Sequence, residues 1–301
     1  AAGDVHQAVD SYARLNSLRP RTVKVLLGLA QAQLADKDVA AATATVAKAA
    51  ALSPDSPEVV RTSAQLDVQA GRPEAAVAKA RTLQAHQPKA ADGFALEGDL
   101  ESARLHWAAA VRAYREALHR EPASTPLAQA LYRALRGSGD AAGGDAFGVR
   151  WIADHPSDER FIFFMALQAI ASKQFPQAEA FLRQGLRLDR DNAMALNNLA
   201  WVLLAEKKPE ALQVAERANA LAPNQPVMMD TLAQALAEHG QLPRALEVQR
   251  KALEIAPDAH DLRLRMARYL VDHGDKAAAR SELDVLSKLG SAYPRQPEVR
   301  E

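Results

Sequence analysis

Apolar and polar positions alternate along this chain with the period of a helix, and that pattern itself repeats. In residues 193–225, Leu196, Leu199, Ala200 and Leu203 fall on one helical face. Ala211, Ala215 and Ala218 do the same after a Lys207-Lys208-Pro209 break, so the stretch predicts two helices joined by a turn. Pro20, Pro54, Pro88, Pro122 and Pro156 are each 34 residues apart. The next step lands on Arg190, Pro223 lies 33 residues further on, and Pro257 another 34. The short step coincides with the Lys207-Lys208-Pro209 turn, where one loop residue is expected to be deleted.

Counting each unit from three residues after its landmark gives eight windows: 23–56, 57–90, 91–124, 125–158, 159–192, 193–225, 226–259 and 260–293. Position 8 is then Ala30, Ala64, Gly98, Tyr132, Ala166, Ala200, Ala233 and Ala267. Position 20, allowing for the deletion, is Ala42, Ala76, Ala110, Gly144, Ala178, Ala211, Ala245 and Ala279. Small residues at two fixed phases predict two helices in close approach within each unit. Gly71, Gly139, Gly240 and Gly274 follow the first helices, where a left-handed cap is wanted. Pro73, Pro176, Pro209 and Pro243 are expected in the first turn of second helices, where a missing N–H costs nothing. One such hairpin cannot bury its apolar face alone, so neighbours must stack. Gly144 and Gly148, in residues 137–148, sit where helix formers are usual, and predict a loosened second helix or hinge.

The 34-residue period, the small residues at 8 and 20, an aromatic or apolar residue near 24 and Pro at 32 resemble the tetratricopeptide repeat family over essentially the whole chain. The resemblance implies an all-α fold: an α-solenoid, a right-handed superhelix of about eight repeats forming a single array over 1–301. Residues 1–22, with Ala8, Tyr12 and Pro20, match a second helix alone, and residues 294–301 the start of a further first helix. The natural protein is therefore expected to be longer at both ends.

Composition narrows the chemistry. Among 301 residues, Lys plus Arg and Asp plus Glu each total 37, so global charge argues for neither nucleic acid nor an anionic membrane. There is no Cys, hence no disulfide or thiolate metal site. The most apolar run, residues 161–171, is too short to span a bilayer. His239 and His273 hold equivalent places at first-helix ends, where a cation suits the helix dipole, and no third ligand accompanies them. His86, His119 and His155 lie near second-helix ends and read the same way. Residues 137–148 lack the Gly-Lys-Ser/Thr ending of a phosphate loop, and no nucleophile or zinc motif is present. No catalytic residue, metal or cofactor is called for.

What remains is geometric. Positions 4, 7, 8 and 11 of each first helix face its partner, and positions 2, 5, 9 and 12 form a second stripe. In tetratricopeptide superhelices that stripe lines the concave groove, which makes its residues the ligand candidates. They are Arg61, Gln65 and Gln69 in the second repeat, Asp99 in the third, and Gln129, Arg133 and Arg136 in the fourth. The fifth gives Arg160 and Phe163, the sixth Asn197, Asn198 and Trp201, the seventh Asp230 and Gln234, and the eighth Arg268. Amides, Arg and aromatic rings together suit an extended peptide or a glycan. For Phe163 and Trp201 packing against neighbouring helices is the competing expectation, and for Asn197 or Asn198 a bond to inter-repeat backbone. Trp107 and Trp151 lie off the stripe, as packing residues. Lys24 and Asn197, residue types of the carboxylate-clamp subfamily, stand five repeats apart, which argues against that co-chaperone reading.

The stretches "LNNLAWVLL", "KPEALQVAERANALAPNQPVMMDTLAQAL" and "DKAAARSELDVLSKLGSAYPRQPEVRE" resemble the end of the repeat lipoprotein of the PEP-CTERM/exosortase system (PrsT type). That family implies a non-catalytic periplasmic scaffold serving exopolysaccharide export or surface-protein sorting. An outer-membrane anchor would need an N-terminal lipidated Cys that this chain lacks. The expected partner is a protein or extended peptide of that machinery, with no nucleic acid. A cytoplasmic adaptor, or the substrate-recruiting part of an enzyme, are the alternatives.

Overall fold

The computed structural model of the chain describes residues 2–300, which form α-helices, one 3-10 turn and no strand. Helix α1 (Ala2–Leu18) precedes eight helical hairpins. The first four are α2 (Val23–Ala35) with α3 (Val39–Leu52), α4 (Pro57–Gln69) with α5 (Pro73–His86), α6 (Asp92–Ala103) with α7 (Trp107–Arg120), and α8 (Thr125–Gly137) with α9 (Ala141–Asp154). Next come α10 (Glu159–Ala171) with α11 (Phe175–Leu188) and α12 (Ala193–Ala205) with α13 (Ala211–Leu221). The last two are α14 (Pro226–Glu238) with α15 (Leu242–Ile255) and α16 (His260–Asp272) with α17 (Lys276–Ser287). The 3-10 turn Gly290–Ala292 and α18 (Gln296–Arg300) close the chain. The helices group into two compact units, Ala1–His155 and Pro156–Glu301.

Within each unit, helices pack on their sequence neighbours, and first helices of successive hairpins also touch: α2 with α4, α4 with α6, α12 with α14. No pair of second helices comes as close among the described residues, so the first helices crowd one side of each unit. Each hairpin closes through its small residues. Ala30, Ala64, Ala166, Ala200 and Ala233 at position 8, and Ala42, Ala76, Ala110, Ala178, Ala211 and Ala245 at position 20, are fully buried.

The fourth hairpin departs from this rule and compensates for it. Tyr132 fills position 8 and is buried, and Gly144 faces it at position 20. A Cβ on Gly144 would lie 3.0 Å from Arg136 Cγ, so the glycine leaves room for the Arg136 stem, one turn on from Tyr132. The loosened helix expected here is not what forms. Helix α9 runs unbroken, started by Asp140, whose Oδ1 accepts the Gly143 N–H at 2.8 Å.

Every hairpin turns in the same way. The residue at position 15 has positive φ in all eight: Gly71, Gly139, Gly240 and Gly274, but also Lys37, Leu105, Lys173 and Lys207. The next N–H reaches back five residues to the first helix, for example Asp38 N to Gln33 O at 2.9 Å and Asp275 N to Leu270 O at 2.9 Å. That is the Schellman closure, and it holds with or without glycine.

The one-residue deletion is not in the loop. Glu206, Lys207 and Lys208 make the same turn bonds as Asp36, Lys37 and Asp38. The missing residue comes from the first turn of the second helix. Ala42 N bonds Asp38 O, four back, whereas Ala211 N bonds Lys208 O, three back. Pro209 therefore lies in a tightened turn ahead of α13, not within the helix, and α13 has 11 residues instead of the 14 of α11. The packing contact at Ala211 and the turn at Lys207 are both kept, so the segment between them absorbs the loss.

Two stability outcomes follow. Leu105 is exposed in the left-handed region at φ 61°, so Leu105→Gly should raise unfolding stability by about 1 kcal/mol in urea melts. Ala200→Trp should lower it by about 1–3 kcal/mol through overpacking, and an unchanged melt would contradict the packing scheme.

Candidate ligand-binding face

The first-helix stripe carries cavities in both units. In the first unit a cavity of ≈ 670 Å³ is lined by Tyr12 and by Lys24, Leu27, Gly28, Gln31, Glu58, Arg61 and Thr62, which are positions 2, 5, 6 and 9 of α2 and α4. In the second unit a cavity of ≈ 320 Å³ lies between α14 and α16, lined by Gln234, Ala237, Glu238, Arg265, Arg268, Tyr269 and Asp272. Positions 6 and 13 line these walls beside 2, 5 and 9. Lys24 and Gln31 stand at stripe positions 2 and 9 and could have been named from the period alone; Asp272, at position 13, lies one helical turn from Arg268, and Tyr269, at position 10, lies off the stripe.

Several candidates are already engaged. Arg61 Nη1 donates to Asp99 Oδ2 at 2.9 Å, joining α4 to α6, and Tyr114 Oη donates to Asp99 Oδ1 at 2.9 Å. Burial first, and then the Asp99 carboxylate, push the Tyr114 phenol upward, so it stays a proton donor. Arg136 turns into its own hairpin, donating to Asp145 Oδ1 at 2.8 Å and to Tyr132 Oη at 3.2 Å. Gln65, Gln69 and Arg133 are exposed, and Gln129 is half-buried.

In the second unit Arg160 is exposed and Phe163 packs, half-buried, against the core. Asn197 is buried, only 4% exposed, and its Oδ1 has no hydrogen-bond partner, so it neither lies open on the face nor bonds neighbouring backbone through that atom. Asn198 is half-buried. Trp201 is exposed along one side and meets Phe175 edge-on, with ring centroids 5.7 Å apart. Asp230 accepts Gln249 Nε2 at 3.0 Å and lies 2.8 Å from Arg265 Nε. Gln234 accepts Arg265 Nη1 at 3.0 Å, and Arg268 Nη2 is 2.5 Å from Glu298 Oε2.

Away from the stripe, a cavity of ≈ 590 Å³ opens between α7, α8 and α9, with Trp151 and Phe147 in its wall. Trp151 is buried and stacks on His155 with centroids 4.0 Å apart. His86 Nδ1 is 2.6 Å from Asp55 Oδ1. Both ring nitrogens of His239 face carbonyl oxygens, of Ala235 at 2.8 Å and Pro209 at 3.0 Å. No three His, Asp or Glu side chains gather to hold a metal among the described residues. Nor is any described helix long and apolar enough to cross a membrane.

A tetratricopeptide-repeat family model matches residues 1–57. Mouse and human tetratricopeptide repeat protein 7B are each 42% identical over 52 residues, covering 17% of this chain. The match spans only 6% of those relatives' length. The pilF protein of Pseudomonas aeruginosa superposes with TM-score 0.54 at 20% identity, over 71% of this chain and 97% of its own. Yeast Tom70 does so with TM-score 0.57 at 13% identity, over 98% of this chain and 63% of its own. MamA of Desulfovibrio magneticus gives 0.50 at 20%, over 56% and 96%. At these identities the solved structures support the fold alone: a tetratricopeptide-repeat α-solenoid.

The wall of the second cavity is held from behind by a polar residue where other repeats are apolar. Gln249, at position 24, is fully buried, and its Nε2 bridges Asp230 and the Leu262 carbonyl, both at 3.0 Å. Gln249→Leu strands both acceptors and should cost about 1–3 kcal/mol in chemical denaturation. An unaltered midpoint would show that neither bond matters.

Proposed function

We propose that this tetratricopeptide-repeat array is a non-catalytic scaffold whose first-helix face holds an extended segment of a protein partner. The observation that carries the reading is a cavity walled by first helices in each unit, with positions 6 and 9 lining both. Each is walled by amide, guanidinium, carboxylate and aromatic groups, the set that recognises peptide backbone and side chains. The repeat match over residues 1–57 and the fold support an interaction role. The resemblance of the C-terminal third to the PEP-CTERM/exosortase lipoprotein supports a place in exopolysaccharide export or surface-protein sorting. The working compartment on this reading is the periplasm, at the outer membrane if the natural chain carries a lipidated Cys.

Gln31→Ala combined with Arg268→Ala, one in the wall of each cavity, should reduce capture of the partner from bacterial envelope extract several-fold, with the helical circular-dichroism signal retained. Undiminished capture would move the binding surface to the loops or the second helices. Osmotic-shock fractionation should release the chain with periplasmic markers or leave it with the outer membrane. Recovery with cytosolic markers would end the envelope assignment.

A further inference from the structure

We propose that the first helices α10, α12 and α14 hold an extended peptide whose facing side chains are apolar, with an acidic residue at its Arg160 end; this rests on the scaffold reading above and names the chemistry of the segment held. Positions 2 and 9 lie two turns apart on one line of each first helix. In the first unit they carry Lys24 and Gln31 on α2, Glu58 and Gln65 on α4, and Asp92 and Asp99 on α6. In the second unit the same positions carry Leu167 on α10, Met194 and Trp201 on α12, and Val227 on α14, which are 39, 48, 39 and 62% exposed. Arg160 and Gln234 stand at the two outer corners. Asn192 Nδ2, just ahead of α12, donates to Glu159 Oε1 at the start of α10 at 2.9 Å, so these two helices begin level. Helix α14 packs on α12 in turn. The four apolar side chains therefore share one surface, and folded chains seldom leave such a group open unless a partner covers it.

Charge and hydrogen bonding select the occupant. At positions 2, 5 and 9 of these three helices the charged residues are Arg160 and Asp230. Asp230 is taken by Arg265, 2.8 Å away, and by the Gln249 amide. Arg160 is exposed and makes no ion pair or hydrogen bond among the described residues. A guanidinium at the edge of an apolar surface favours a carboxylate placed beside apolar groups. A basic segment would be repelled there, and a polar one would gain nothing by covering the four apolar side chains. Half-buried Asn198, at position 6 of α12, has a side chain without a hydrogen bond among the described residues, and its amide can pair with an extended backbone. Packed helices lie about 8–10 Å apart, so α10 to α14 spans about 20 Å, the length of about six extended residues.

The test uses the 15N-labelled whole chain and the peptide acetyl-Glu-Gly-Leu-Gly-Leu-Gly-Leu-amide. Saturable shifts should fall on the Trp201 indole N–H and on the amides of Leu167, Met194 and Val227. Serine in place of the three leucines should weaken binding about tenfold or more, and Gln in place of Glu about threefold. Met194→Ser with Val227→Ser, both at open positions, should weaken it about tenfold with the rest of the spectrum unchanged. Arg160→Gln should erase the difference between the Glu and Gln peptides. Equal binding of the serine peptide, no preference for Glu, or shifts confined to other residues would overturn the assignment. So would a dimer in sedimentation that the Met194, Val227 pair of substitutions abolishes, since a second copy would then be the cover. The outcomes are separable from those of the scaffold reading. Absent peptide binding, with capture that still depends on Gln31 and Arg268, sinks only this inference. Peptide binding with capture indifferent to those two residues sinks only the scaffold.

Discussion

The structure depends on how closely the two helices of each hairpin approach. A methyl group or a hydrogen on each side, at positions 8 and 20, lets the helices meet with no solvent reaching the contact. Close packing there fixes the rotation of the first helix about its own axis. Once that rotation is set, positions 2, 5, 6, 9 and 13 have nowhere to point but away from the partner. The face that carries both cavities is thus a by-product of alanine packing. The fourth hairpin keeps the small residue on one side only, with Gly144 against the Arg136 stem and Tyr132 buried at position 8.

Much of this was legible in the sequence because the constraint repeats. Proline spacing, small residues and turn glycines each recur at fixed intervals, so the helical hairpins could be placed from periodicity alone. The place of the deletion could not. A gap can be slid along Lys207-Lys208-Pro209 without changing the pattern, and only the geometry shows that the turn is kept and the helix start gives way. The left-handed residue was likewise visible only where it is glycine. Lys37, Leu105, Lys173 and Lys207 adopt the same backbone because the six-residue closure holds them there.

On the stripe, periodicity named the face but not the state of each side chain. Asp99 and Arg61 are spent on each other, and Arg136 on Asp145. Asn197 is at a stripe position and yet buried, because the helices around it crowd together. Which polar group is consumed depends on what a neighbouring helix presents, 9 residues away for Arg136 and 38 for Arg61, information that a period alone does not carry. Asp272 lies one turn from the stripe and Tyr269 beside it, and both needed the cavity itself to reveal them.

These engaged and unengaged groups differ in what they can contribute to recognition. The Arg61–Asp99 pair is about half exposed on each side, and such pairs are worth about 0–1 kcal/mol. A partner can displace it at little cost, and gains equally little from it. Asn197 Oδ1 stands at the other extreme, enclosed by the packed helices and without a partner. Its desolvation is a cost carried within the fold. The exposed ion pairs chiefly tie one first helix to the next, as Arg61 does to Asp99.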